Sequence, residues 1–314
     1  MEQNYTEIPK KNKKSLLLER FGTKLVSKII RKDKSTNEIQ SVLNIPYTPN
    51  KTDKLRQFDW HCPVKISNNL YQTKTPVLFY IHGGSWSAAD KSMFSLLSKE
   101  FAEQGLIVIN INYSLLPESN FATIYQDLVN CLTFCLKKRD MLGIDPQKVF
   151  FAGDSAGAHL SSLICSRITA GDLKIDINIL GVILFYGVYD LKRLGSLRFR
   201  SCNVLHDSFL QTKGANIEQF YKEFSTTTYL TSNFPPAFIT AGKIDSLHLE
   251  SERLIDKLTE LNVPVTSLIF PKNRLDARHA FVNIELKART QALTKAFQFI
   301  HNQLKKAETK KEPN

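Results

Sequence analysis

From about residue 76 onward, short apolar runs alternate with longer stretches whose apolar positions recur at helical spacing. Six runs, at 76–81, 106–111, 148–151, 179–186, 236–241 and 264–270, are apolar almost throughout and bounded by turn residues. A strand with one wet face would alternate polar and apolar positions, so runs without a polar face predict strands covered on both sides. Between them lie amphipathic segments near 91–104, 121–140, 156–170, 247–261 and 280–304. Such alternation predicts an α/β fold, a mostly parallel sheet with right-handed crossovers and helices on both faces. Two earlier segments, 39–47 and 56–66, read as an antiparallel pair around a turn containing Pro49, Asn50 and Asp53.

The rhythm breaks between Asp190 and Pro235, where over forty residues contain no core strand. A structureless loop of that length is uncommon in a compact domain. Residues 190–235 are therefore expected to form a small helical insertion lying over the sheet. One domain then spans 41–304, with a basic segment at 1–40 before it and a disordered basic tail at 305–314 after it.

Charge sharpens that division. The net charge is +12, but ten Lys or Arg and two acids fall between Lys10 and Lys34, and four Lys and two Glu lie in the tail. The remainder, with 28 basic and 26 acidic residues, is close to neutral. A nucleic-acid-binding face would need basic residues spread over the folded body, so that class is not indicated. Leu18, Phe21, Leu25 and Ile29 share one helical face with Lys24, Lys28 and Arg31 among them. Two readings fit: a contribution to the cap, or a basic amphipathic helix on an anionic membrane surface through residues 10–34. The five cysteines, Cys62, Cys131, Cys135, Cys165 and Cys202, form no disulfide framework and read as buried thiols of a reducing compartment. No secretory signal opens the sequence and no apolar run is long enough to span a bilayer. The expected location is the cytoplasm.

The chemistry concentrates at the carboxyl ends of the expected strands. Gly153-Asp154-Ser155-Ala156-Gly157 follows the strand at 148–151 and opens the next helix, the context in which G-x-S-x-G is informative. A sharp strand-to-helix turn pushes Ser155 into the open and leaves no room for a Cβ at Gly153 or Gly157. A neutral hydroxyl needs a base, and the base needs an orienting group. Asp245 follows the strand at 236–241 and His279 follows the strand at 264–270, which gives the order Ser, Asp, His. His159, His248, His61, His206 and His301 read as packing or solvated residues. Asp190 is the alternative acid, while Asp154 and Asp276 read as orienting or surface groups. After the strand at 76–81 comes His82-Gly83-Gly84-Ser85-Trp86. Gly83, Gly84, Ser85 and Ala156 are the candidate oxyanion donors, because main-chain amides there can approach a substrate oxygen closely.

HGGSW at 82–86, NYSLLPE at 112–118, the helix of Asp127, GDSAGAH at 153–159, GKIDSL at 242–247 and RHAF at 278–281 together resemble the hormone-sensitive-lipase-like branch of the α/β-hydrolases. The resemblance covers roughly residues 56–304. It implies an α/β-hydrolase fold with a helical cap and a catalytic Ser155, Asp245 and His279. It also implies a small-molecule ester as substrate and neither metal nor organic cofactor. Ser85 stands where many members have a third glycine, and Ala158 where they have a second. The expected activity is cleavage of esters with small or medium acyl groups through an acyl-enzyme. The H-G-G-x-W form also resembles arylformamidases and feruloyl-esterase-like hydrolases, so an amide hydrolase remains open, as does an esterase working at a membrane surface. Phe209, Phe220, Tyr221, Phe224 and Tyr229 in the insertion are candidates for shaping the substrate pocket.

Overall fold

The computed structural model describes residues 38–68, 74–194, 216–284 and 286–309. Residues 1–37 of the N-terminal segment, together with Cys202, His206 and Phe209, lie outside these residues.

Eight strands form one sheet in the order β1-β2-β4-β3-β5-β6-β7-β8. Its antiparallel start is β1 (Ile39–Pro46) against β2 (Gln57–Pro63), and β2 is also antiparallel to β4 (Ile107–Ile111). Every later pairing is parallel: β3 (Thr75–Ile81) with β4 and β5 (Ile144–Asp154), then β6 (Ile179–Phe185), β7 (Ala237–Gly242) and β8 (Val265–Phe270). Each of the six apolar runs lies within one of these strands or overlaps it closely. The interior strands β3, β4 and β7 are buried almost end to end, which is why their sequences show no polar period.

Two cores sit on opposite faces. One packs β-strand residues such as Phe79, Ile109 and Phe151 against α2 (Phe121–Lys137) and α3 (Ala156–Thr169), and takes in Leu254 and Leu258 of α5 (His248–Glu260). The other packs Tyr80, Phe150 and Phe238 against α1 (Ser95–Ala102) and α6 (Lys287–Thr309). Between β6 and β7 the insertion contributes α4 (Ile217–Phe224), whose Phe220 and Phe224 are buried. Cys62, Cys131, Cys135 and Cys165 are buried free thiols.

Two boundaries differ from the sequence expectation. The last helix begins at Lys287 rather than near 280, and Asp276 accepts a hydrogen bond from the Ala288 amide (2.8 Å), satisfying one of the free amides of its first turn. It runs on to Thr309, so 305–309 are helical rather than part of a disordered tail. No helix among the described residues is long and apolar enough to cross a membrane.

Candidate active site

Ser155 caps α3 with φ 51° and ψ −117°, a combination sparsely used by residues with a Cβ. The surrounding glycines explain how the chain accepts it. A Cβ at Gly157 would lie 1.9 Å from the Ile81 carbonyl oxygen, and one at Gly153 would lie 2.5 Å from the Gly157 backbone. The serine amide is held by the Phe185 carbonyl at the end of β6 (2.9 Å). The turn is thus wedged between two strand ends, leaving the hydroxyl projecting from the carboxyl edge of the sheet.

There the three side chains converge. His279 Nε2 lies 3.0 Å from Ser155 Oγ and His279 Nδ1 lies 2.7 Å from Asp245 Oδ2. Asp245 is buried, and its other oxygen accepts from the Leu247 amide (2.9 Å). This bond holds the carboxylate in place toward the histidine. The two loops are pressed together at Gly242, where a Cβ would meet the Ala277 carbonyl oxygen at 1.8 Å. Tyr186 sets its ring against the imidazole at 5.0 Å in a T-shaped contact. In the sequence Tyr186 carries no signal beyond its place at the carboxyl end of a strand.

The rivals are placed elsewhere. Asp190 pairs with Arg193 at 3.1 Å. His248 opens α5 with Nδ1 2.7 Å from the Asp245 carbonyl. His159 is fully buried and bonded through Nε2 to the Phe224 carbonyl (2.7 Å). Asp276 holds Arg274 through both oxygens (2.8 and 2.9 Å), and this bond pulls its carboxyl down to about 2.

The loop after β3 is strained in a concerted way. Gly84 has φ +116°, where a Cβ would strike the Ala88 carbonyl oxygen at 2.2 Å. Ser85 and Trp86 follow at φ 54° and 57°, both left-handed despite their side chains. The Ser87 and Ala88 amides bond the Gly84 carbonyl (3.0 and 2.9 Å), and the Leu116 amide bonds the Trp86 carbonyl (2.8 Å). So Ser85 does reach the backbone geometry that a third glycine would take more easily.

Gly83 requires a correction. Its amide donates to Asp154 Oδ1 (2.9 Å) and is therefore not available to a substrate oxygen. The amides of Gly84 and Ala156 have no protein acceptor among the described residues. Asp154 also accepts from the Tyr80 hydroxyl (2.9 Å) and from the side-chain Nδ2 of Asn283 (3.2 Å). Burial raises its carboxyl above the usual range, against the lowering effect of these three donors. His82 is buried, stacked on Tyr113 with ring centroids 4.4 Å apart, and burial lowers its ring below the usual histidine range. Tyr80 and Asn283, which complete this support, carried no motif in the sequence.

A family model described as BD-FAE matches residues 66–258, more than half of the chain. Among curated proteins, the probable carboxylic ester hydrolase LipM of Mycobacterium tuberculosis is 29% identical over 229 residues, 67% of this chain. The matched part spans about half (53%) of that relative's length. Among solved structures, esterase B from Lactobacillus rhamnosis superposes with a TM-score of 0.79 at 20% identity, covering 95% of this chain and 99% of its own. A bacterial heroin esterase gives 0.73 at 17% identity, covering 95% of this chain and 94% of its own. These likenesses establish the α/β-hydrolase fold.

Proposed function

The chain belongs to the BD-FAE family, and on that premise we propose that it is a carboxylic ester hydrolase working through a serine acyl-enzyme. One observation carries this reading: the unbroken relay from Ser155 Oγ through His279 to buried Asp245, at 3.0 and 2.7 Å. His279 takes the hydroxyl proton as Ser155 Oγ bonds to the ester carbonyl carbon. Asp245 holds Nδ1 protonated, so that Nε2 is the basic nitrogen, and stabilises the imidazolium that forms. The carbonyl oxygen, now carrying the negative charge, meets the amides of Gly84 and Ala156, with Ser85 beside them. These donors are already oriented, so no reorganisation is needed when charge develops. Collapse breaks the ester C–O bond, and the alcohol leaves with the proton from His279. Water then repeats the sequence on the acyl-enzyme and releases the acid. The esterase names of LipM and of the structural relatives support esters as the substrate class.

A series of p-nitrophenyl esters from acetate to octanoate, run beside a formanilide, tests the reading. Turnover of the shorter esters with a burst of nitrophenol is expected. Ser155→Ala is expected to lose the burst and to reduce kcat by roughly a millionfold. Turnover confined to the formanilide would replace the ester reading with an amide one.

A further inference from the structure

The insertion is bonded to the body of the fold through its described residues 216–235. Its α4 ends at Phe224, whose carbonyl has no partner inside the helix. His159 Nε2 meets that carbonyl at 2.7 Å. A carbonyl only accepts, so Nε2 carries the hydrogen and Nδ1 is a bare lone pair, buried without a partner among the described residues. Burial holds this ring neutral by pushing it down to about 4. One turn further along α3, Ser162 Oγ lies 2.7 Å from Thr226 Oγ1, again fully buried. The returning chain of the insertion is therefore fastened to the helix that begins at the nucleophile by a polar seam inside an apolar environment.

The same imidazole is also part of an aromatic wall. It stands edge-on to Trp86 (5.5 Å, 81°) and against Phe121 (5.7 Å). Phe121 in turn contacts Phe220 (5.5 Å) and Phe224 (5.1 Å) of α4. Trp86 is the residue after Ser85 in the strained loop beside the reacting carbonyl. The wall thus runs from that loop to the insertion, and the His159 side chain also hydrogen-bonds the insertion backbone.

We infer that His159 is a positioning residue for substrate selectivity. By clamping the Phe224 carbonyl it holds Phe220 and Phe224 against Phe121, which in turn stands against Trp86 (5.7 Å), and so fixes the size of acyl group the site admits. This rests on the ester-hydrolase reading above. The geometry explains why an imidazole serves: it supplies a donor to the helix end and a flat apolar face to the wall at once. Leucine supplies only bulk. Glutamine, with an Nε2 of similar reach, supplies the donor.

The test compares wild type, His159→Leu and His159→Gln across p-nitrophenyl acetate to octanoate, and measures Ser155 labelling by a small ethyl phosphonate probe in each. In His159→Leu the spread of kcat/KM across chain length is expected to narrow by about tenfold, the scale of one methylene in a fitted pocket, while labelling persists. His159→Gln is expected to restore the spread. An unchanged spread, or an equal loss at every chain length, overturns the inference. Failure of the wild type to label would instead remove the hydrolase reading itself. If His159→Leu does not fold, Thr226→Val breaks the seam at its other bond. Narrowing there supports the inference and an unaltered spread overturns it.

Discussion

A methyl group at position 157 would have to occupy the space of the Ile81 carbonyl oxygen, 1.9 Å away. That oxygen belongs to a buried strand end and cannot yield as a flexible side chain would. Gly157→Ala is therefore expected to destabilise by about 3 kcal/mol or more, the upper range for overpacking, and to abolish Ser155 labelling. Urea unfolding and the phosphonate probe measure the two effects separately. Asp245→Asn tests a different residue-scale claim, since it keeps the shape but can donate to Nδ1 and so favour the wrong imidazole tautomer. A fall in kcat of about 10⁴ with little change in KM is expected. A loss carried wholly by KM would place the acid in substrate binding instead.

At the scale of elements, Asp154 joins three pieces that the chain keeps far apart: β3 through Tyr80, the oxyanion loop through Gly83, and the turn at 281–283 through Asn283. Removing it leaves a buried amide without an acceptor just where the loop must stay left-handed. Asp154→Ala is expected to lower kcat by about a hundredfold, the cost typical of losing one oxyanion donor, with KM nearly constant. Equal changes in kcat and KM would argue for a general loosening. How much of this the sequence reveals depends on chemistry. Ser155, Asp245 and His279 are legible because each follows an apolar run and a turn, and strand ends are where such folds place function. The commitment of the Gly83 amide is not, because it depends on an aspartate 71 residues away. Lys91 is the sharper case. It reads as an ordinary charge opening a helix, yet it is buried, with Nζ 2.7 Å from both Asp59 Oδ1 and Asn44 Oδ1. Only the antiparallel pairing of β1 and β2 brings those partners to it. Lys91→Met is expected to cost about 3–5 kcal/mol, since it strands the Asp59 carboxylate, and pairing it with Asp59→Asn should recover part of the loss.

At the scale of the whole molecule, His82 and His159, two of the buried imidazoles among the described residues, push the acid response in one direction. Burial lowers both His82 and His159, the latter to about 4 against a usual 6.5. Between those limits the unfolded chain binds protons that the folded chain refuses, so stability must fall as pH falls from about 6.5 toward 4. No charged side chain contributes to the His159 shift, which burial alone drives against the bond to the Phe224 carbonyl. Asp154 works the other way. Its raised carboxyl takes up a proton in the folded state before it would in the unfolded chain, and this offsets part of the loss at the acid end. Each unit of difference in proton affinity corresponds to about 1.4 kcal/mol, so the fully developed effect of His159 is a few kcal/mol. His159→Gln removes that titration while keeping a donor for the Phe224 carbonyl. Its stability, followed by urea unfolding from pH 7 to pH 4, is therefore expected to decline less steeply than that of the wild type. Parallel curves would mean that the ring is not held neutral in the fold.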